Sequence, residues 1–205
     1  YTTEGFGLSL AAGAKLATND ANLLNVDDLA MPMVYQTSNG TNDVILLLAA
    51  SIDSWVVSTG VQIPLNRNEN TFEVKEGPLI DPSPKTAEYF SNWQNYQSSR
   101  NFKRASDVML KVEKYFELKE DLKLMAGVLP VYRLSKSIYE DIKGDDITIM
   151  NSDGLTFNVI AGLKYKVSDR HTFGLNIGFP VVTREVRADG LTRALVANVD
   201  FKFEL

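Results

Sequence analysis

Apolar and polar residues alternate along most of the chain, and the alternation is longest toward its C-terminal end. From Leu155 every second residue is apolar: Leu155, Phe157, Val159, Ala161, Leu163, Tyr165 and Val167. After the polar turn Ser168-Asp169-Arg170 the pattern restarts with Phe173, Leu175, Ile177 and Phe179. A longer polar loop over 182–193 follows, and the last segment carries Leu195, Ala197, Val199, Phe201, Phe203 and Leu205 on one face. Period two held over ten or more residues separates two faces of a strand. Here one face is greasy from end to end, and the other is small or charged.

The same reading predicts strands over 5–16, 43–52, 55–64, 107–118 and 122–132, giving eight in all. The connections alternate long and short. The 43–52 strand is apolar on both faces, with Ile45 and Leu47 on the second. Lys114 interrupts the apolar face of the 107–118 strand about midway along it. In the first long connection, Met31 to Tyr35 reads as an extension of a strand. The longest connection, 65–106, holds Pro78, Pro82 and Pro84, then Tyr89, Trp93 and Tyr96 at helical spacing, which predicts a short amphipathic helix over 86–98. A loop of that length is expected to fold over the end of the sheet or against a partner.

Soluble strands average about five or six residues. Longer strands with one wholly apolar face, joined by short turns alternating with long loops, fit a transmembrane barrel better. On these residues, with Phe201, Phe203 and Leu205 closing the chain, the sequence resembles the small, about eight-stranded class of bacterial outer-membrane β-barrel proteins. The resemblance implies an all-β, closed antiparallel transmembrane β-barrel forming a single domain over 1–205. It implies an apolar face toward lipid, short periplasmic turns, long extracellular loops and both termini in the periplasm. An eight-strand barrel has an interior just wide enough for side chains to fill, so an open diffusion channel is not expected. Phe201, Phe203 and Leu205 would be the signal read by the barrel insertion machinery, with Leu205 where the family usually has an aromatic. The implied setting is the outer membrane of a Gram-negative cell, among outer-membrane lipid and lipopolysaccharide. The opening Tyr1-Thr2-Thr3-Glu4, leading almost directly into a strand, suits an exported chain whose signal peptide has been removed.

Composition narrows the alternatives. The longest apolar run, 44–50, falls far short of the roughly 20 residues a membrane helix needs. With no cysteine, disulfides, thiolate metal sites and a cysteine nucleophile are excluded. A net charge of -5 argues against a nucleic-acid partner.

Five groups of residues are candidates for chemistry or contact. Lys111, Glu113, Glu117, Lys123, Lys164, Asp200 and Lys202 fall on the lumen face, together with Lys166 and Glu204. Their mixed signs predict a paired polar plug, because charges removed from water must be paired. The 182–193 loop carries Arg184, Arg187 and Arg193 around Asp189-Gly190. These arginines are expected to fix the loop through carboxylates, or alternatively to hold lipopolysaccharide. Tyr89, Phe90, Trp93 and Tyr96 form the candidate partner-contact patch. The sole histidine, His171, has no serine visibly paired with it, so no catalytic residue is assigned. Glu140-Asp141 and Asp145-Asp146 read as solvated loop charges, with loose calcium binding as the sharper alternative. No cofactor and no resident metal are expected. The leading expectation is a non-enzymatic barrel that acts as a structural or accessory subunit, contacting a larger outer-membrane protein complex through its long loops. The second is a small transporter-like or porin-like barrel for small or apolar ligands, supported by Ile45 and Leu47. The third, a soluble lipocalin-like carrier, is opposed by the charged inner face.

Overall fold

The computed structural model describes residues 1–3, 5–74, 95–190 and 194–203. It is all-β. The strands are β1 (Thr2–Thr3), β2 (Phe6–Lys15), β3 (Asp43–Ile52), β4 (Trp55–Pro64), β5 (Asp107–Lys119), β6 (Leu122–Arg133), β7 (Ile138–Glu140), β8 (Asp146–Thr148), β9 (Gly154–Ser168), β10 (His171–Val182) and β11 (Val196–Phe203). Eight long strands, β2 to β6 and β9 to β11, form one antiparallel meander with β1 added at its edge; β7 and β8 make a separate hairpin. The long strands fall where the period-two pattern puts them, and β3 and β4 have the expected bounds.

Register explains why the pattern was so readable. Leu124 lies opposite Leu163, Leu163 opposite Leu175, and Leu175 opposite Val199. The neighbouring row joins Val112, Val128, Val159 and Phe179. Every predicted apolar face therefore continues into the next, and a slip of one residue would turn a whole strand inside out. Many of these side chains remain open on the convex surface, among them Leu10, Val199 and Phe201 at 80%, 61% and 64% exposure. Lys114 belongs to this surface. It lies opposite Trp55, next to the turn at Asp53 and Ser54, and its Nζ sits 4.4 Å from the Trp55 ring centroid. The register thus moves it from the middle of the face to the turn end, where a long amphipathic side chain can lay its stem on apolar surface.

The eight strands curl strongly, through 207°. β11 pairs with β10 alone, and β2 pairs with β3 and with the two residues of β1, so the described residues include no pairing between β2 and β11. The expected closed eight-strand cylinder is thus seen as a half-barrel. Over seven strand-to-strand steps the curl averages about 30°, against about 45° for a closed ring of eight. The concave side is correspondingly roomier than side chains alone would fill.

All three short turns lie at one end of the sheet, and all four long connections at the other. The loops carry most of the buried apolar side chains. Ala30 and Phe72 pack with Leu29, Val74 and Tyr96, joining the first and second long loops. Phe102, Ile149 and Ala188 pack with Tyr139 and Val186, joining the second, third and fourth. Asn70 fixes the first pair of loops by donating from Nδ2 to the Ala21 and Met31 carbonyls, at 2.7 and 3.2 Å. Gly190 shows how tightly the fourth loop is seated. Its φ is +71°, and a Cβ there would stand 2.5 Å from the Met33 carbonyl carbon, so both conformation and space call for glycine.

Two local expectations change. Met33–Tyr35 is a single 3-10 turn following Pro32, not an extension of a strand; Pro32 withholds the N–H that a ladder would need. The predicted helix over 86–98 falls mostly outside the described residues, and 95–98 are not helical.

Candidate functional site

Charged residues stand at the loop ends of four of the strands. Lys15 ends β2, Asp43 opens β3, Asp107 opens β5 and Arg133 ends β6. The register sets Asp43 opposite Lys15, and Asp107 opposite both Gln62 and Arg133. Arg104, Arg184 and Asp189 come in from the second and fourth long loops to complete a belt along this rim.

The belt's centre is dry. The side chains of Arg133 and Asp189 are each 1% exposed. Arg133 donates from Nε to Asp107 Oδ1 at 2.9 Å, and from Nη2 to Asp107 Oδ2 at 3.1 Å and Asp189 Oδ2 at 2.8 Å. Arg104 donates to Asp107 and lies 3.5 Å from Asp43. Asp43 also meets Lys15 at 2.8 Å and accepts from Thr41 at 2.7 Å and from Gln62. Arg184 reaches Asp189 at 3.4 Å and Asp107 at 3.9 Å. Burial pushes the Asp189 carboxyl up, but Arg133, Arg184 and Arg104 pull it down further, so it rests below its ordinary range. Burial, and then the neighbouring Arg133 charge, lower the Arg184 pKa.

Under this belt, on the concave side of β5, β6 and β9 to β11, lies a cavity of about 520 Å³. Arg104, Arg133, Arg184 and Arg187 line one part of it with Asp107 and Asp189; Met125, Leu129, Val131, Ile160 and Val196 line other parts, with Thr156, Asn158, Asn176 and Asn198 among them. Arg133 Nη1, Arg184 Nε and Arg104 Nε are buried without a hydrogen-bond partner. Such groups are uncommon, because an unmet buried donor costs about 1–3 kcal/mol.

The expected single polar plug resolves into separate pairs. Lys111 meets Glu113 at 2.6 Å, and Lys123 meets Glu117 at 2.5 Å. Lys164 sits over the Tyr115 ring at 5.6 Å. Asp200 accepts from Asn176 at 3.4 Å. Lys202 lies opposite Thr172 near the turn end of β11. Lys111 alone of this group lines that cavity, because the seven positions are spread from one end of the sheet to the other. Of the loop arginines, Arg184 and Arg187 meet at the cavity, while Arg193 lies outside the described residues. So do Tyr89, Phe90, Trp93 and Leu205. Tyr96 is described: its hydroxyl lies 3.1 Å from that of Tyr35, with the rings tilted at 57°. Phe201 and Phe203 are exposed on the convex face of β11.

His171 does have a serine partner. Ser168 Oγ lies 2.8 Å from His171 Nδ1 across the two-residue turn, and the ring rests against Phe201 and Phe203. No carboxylate reaches the other ring nitrogen among the described residues, and the pair is exposed, so the contact closes a turn rather than building a nucleophile. Two of the carboxylates named for calcium are engaged within the protein itself. Asp141 accepts from the Lys143 and Asp145 backbone N–H groups, and Asp146 is held by Arg67 at 2.8 Å. Among the described residues no three acidic or imidazole side chains converge as a metal site.

Sequence reasoning found Arg184, Arg187 and Asp189 but missed Asp43, Arg104, Asp107 and Arg133. A signal was present: a charged residue at the long-loop end of strand after strand. No protein-family model matches the chain, and no curated protein matches it in sequence.

Proposed function

We propose that this chain is the wall of a non-enzymatic outer-membrane β-barrel, with its convex face in lipid and its concave face bounding a path for small solutes. One observation carries the reading: large apolar side chains run in rows across the convex face, with Lys114 at its turn end, while most of the charged strand residues lie on the concave face among small residues and a minority of apolar ones such as Met125, Leu129 and Ile160. A soluble sheet arranged that way would expose an apolar patch well beyond the few hundred Å² usual for a monomer. Aromatics also gather toward both ends of the convex face. Phe173 stands between Tyr165 and Phe201 toward the turns. Tyr132 and Phe157 lie toward the loops, in keeping with interfacial girdles. The long strands other than β11, at ten to fifteen residues, are long enough to cross a bilayer obliquely.

Closure belongs to this proposal. A curl of 207° over eight strands, short of a full turn, and the 520 Å³ cavity favour a lumen wider than a side-chain-filled eight-strand ring. That moves weight from the accessory-subunit expectation to the transporter-like one. The partner-contact reading keeps one specific support, the Tyr35–Tyr96 pair on the loops, with Tyr35 exposed and Tyr96 half-buried. Phospholipid vesicles carrying the protein should release a trapped small organic anion faster than empty vesicles do. Release no faster than from empty vesicles would remove the passage and leave the structural role.

A further inference from the structure

We propose that the cavity beneath the ionic belt binds a small monocarboxylate with an apolar tail, its carboxylate held by the arginines and its tail lying on the concave face of β6 and β9. This names the solute class for the passage above and rests on that reading for its purpose.

Charge comes first. The cavity lining holds Arg104, Arg133, Arg184 and Arg187 against Asp107 and Asp189, an excess of two positive charges. Lys111 does not add to it, because Glu113 stands 2.6 Å away. Asp43 does not offset it, because Lys15 stands 2.8 Å from the same carboxylate. Arg187 has no carboxylate partner among the described residues. Arg104 and Arg133 are buried and Arg184 and Arg187 half-buried, and charge drawn away from bulk water calls for a counter-charge.

Unspent donors come next. Arg133 Nη1 is buried and unbonded, although the rest of its guanidinium is engaged with Asp107 and Asp189. Arg184 Nε is unbonded as well. Planar guanidinium forks match a carboxylate edge-on. The partner carboxylates hold Arg133 in place, so little ordering remains to be done on binding.

Shape sets the remainder of the ligand. Beyond the arginines the walls are more apolar than polar, with Leu129, Ile160 and Val196 in the lining and Thr156, Asn158, Asn176, Thr183 and Asn198 as the polar interruptions. A cavity of about 520 Å³ is in the range of small-molecule sites. An inorganic anion would satisfy the arginines and leave these walls wet. A neutral apolar molecule would cover the walls and leave the charge excess unmet.

The test is calorimetric titration of the whole folded protein in detergent, with hexanoate, 1-hexanol and inorganic phosphate as probes. Saturable hexanoate binding is expected, with at least tenfold weaker binding of each of the other two. Arg187→Gln should weaken hexanoate binding at least tenfold and leave the fold intact, since Arg187 makes no ion pair that the belt requires. No saturable binding of hexanoate, equal binding of hexanol or phosphate, or unchanged affinity in Arg187→Gln would each overturn the proposal. Binding in detergent and release from vesicles are separate measurements, so the ligand site and the passage can fail independently.

Discussion

Leu175→Arg is expected to cost about 2–4 kcal/mol of folding free energy in a bilayer, enough to cut the yield of membrane-inserted protein sharply. Leu175 lies on the convex face between Leu163 and Val199. Along β10 it falls between Phe173 and Phe179, inside the two aromatic zones. A guanidinium there meets hydrocarbon, with neither end of the strand close enough for it to reach water easily. Asn176→Arg is the matching control. One residue further on, it faces the concave side near Asp200, so the same charge should be accommodated. The comparison is read from the inserted fraction after folding into vesicles. Equal losses would mean that the two faces are not distinguished by lipid.

The second large effect belongs to the belt. Arg133→Ala should destabilise the fold by about 3–5 kcal/mol, the usual result of removing one partner from a buried ion pair. Asp107 and Asp189 both depend on that guanidinium. Burial of Asp189 then persists while its strongest counter-charge is gone. Arg67→Ala is the contrast, because Arg67 and Asp146 are partly exposed and paired near the surface; exposed pairs contribute about 0–1 kcal/mol. Denaturant unfolding of the reconstituted protein measures both. A loss at Arg133 no larger than at Arg67 would show that the belt does not hold the loops to the sheet.

The eight long strands were readable because the information is local. Alternation from Leu155 to Val167 specifies a strand and its faces before any partner is known. The curl was not readable, because it depends on how strands tilt and stagger against each other. The belt escaped for a related reason. Asp107 and Arg133 are 26 residues apart and Arg133 and Asp189 are 56, and only the register makes them neighbours. Ser168 and His171 are three residues apart and could have been paired from the turn between them. The loops carry no periodicity, so the packing of Phe102 on Ile149 and Ala188 leaves no pattern in the sequence.

The absence of cysteine makes one measurement especially direct. Single cysteines placed in turn at 172–179 along β10 would each carry a nitroxide, in protein folded into phospholipid vesicles. Spin relaxation by oxygen reports lipid, and relaxation by a water-soluble nickel chelate reports water. If the convex face lies in lipid, oxygen accessibility will peak at 173, 175, 177 and 179, and nickel accessibility at 172, 174, 176 and 178. High nickel accessibility at both sets, with no alternation, would contradict a membrane-embedded wall.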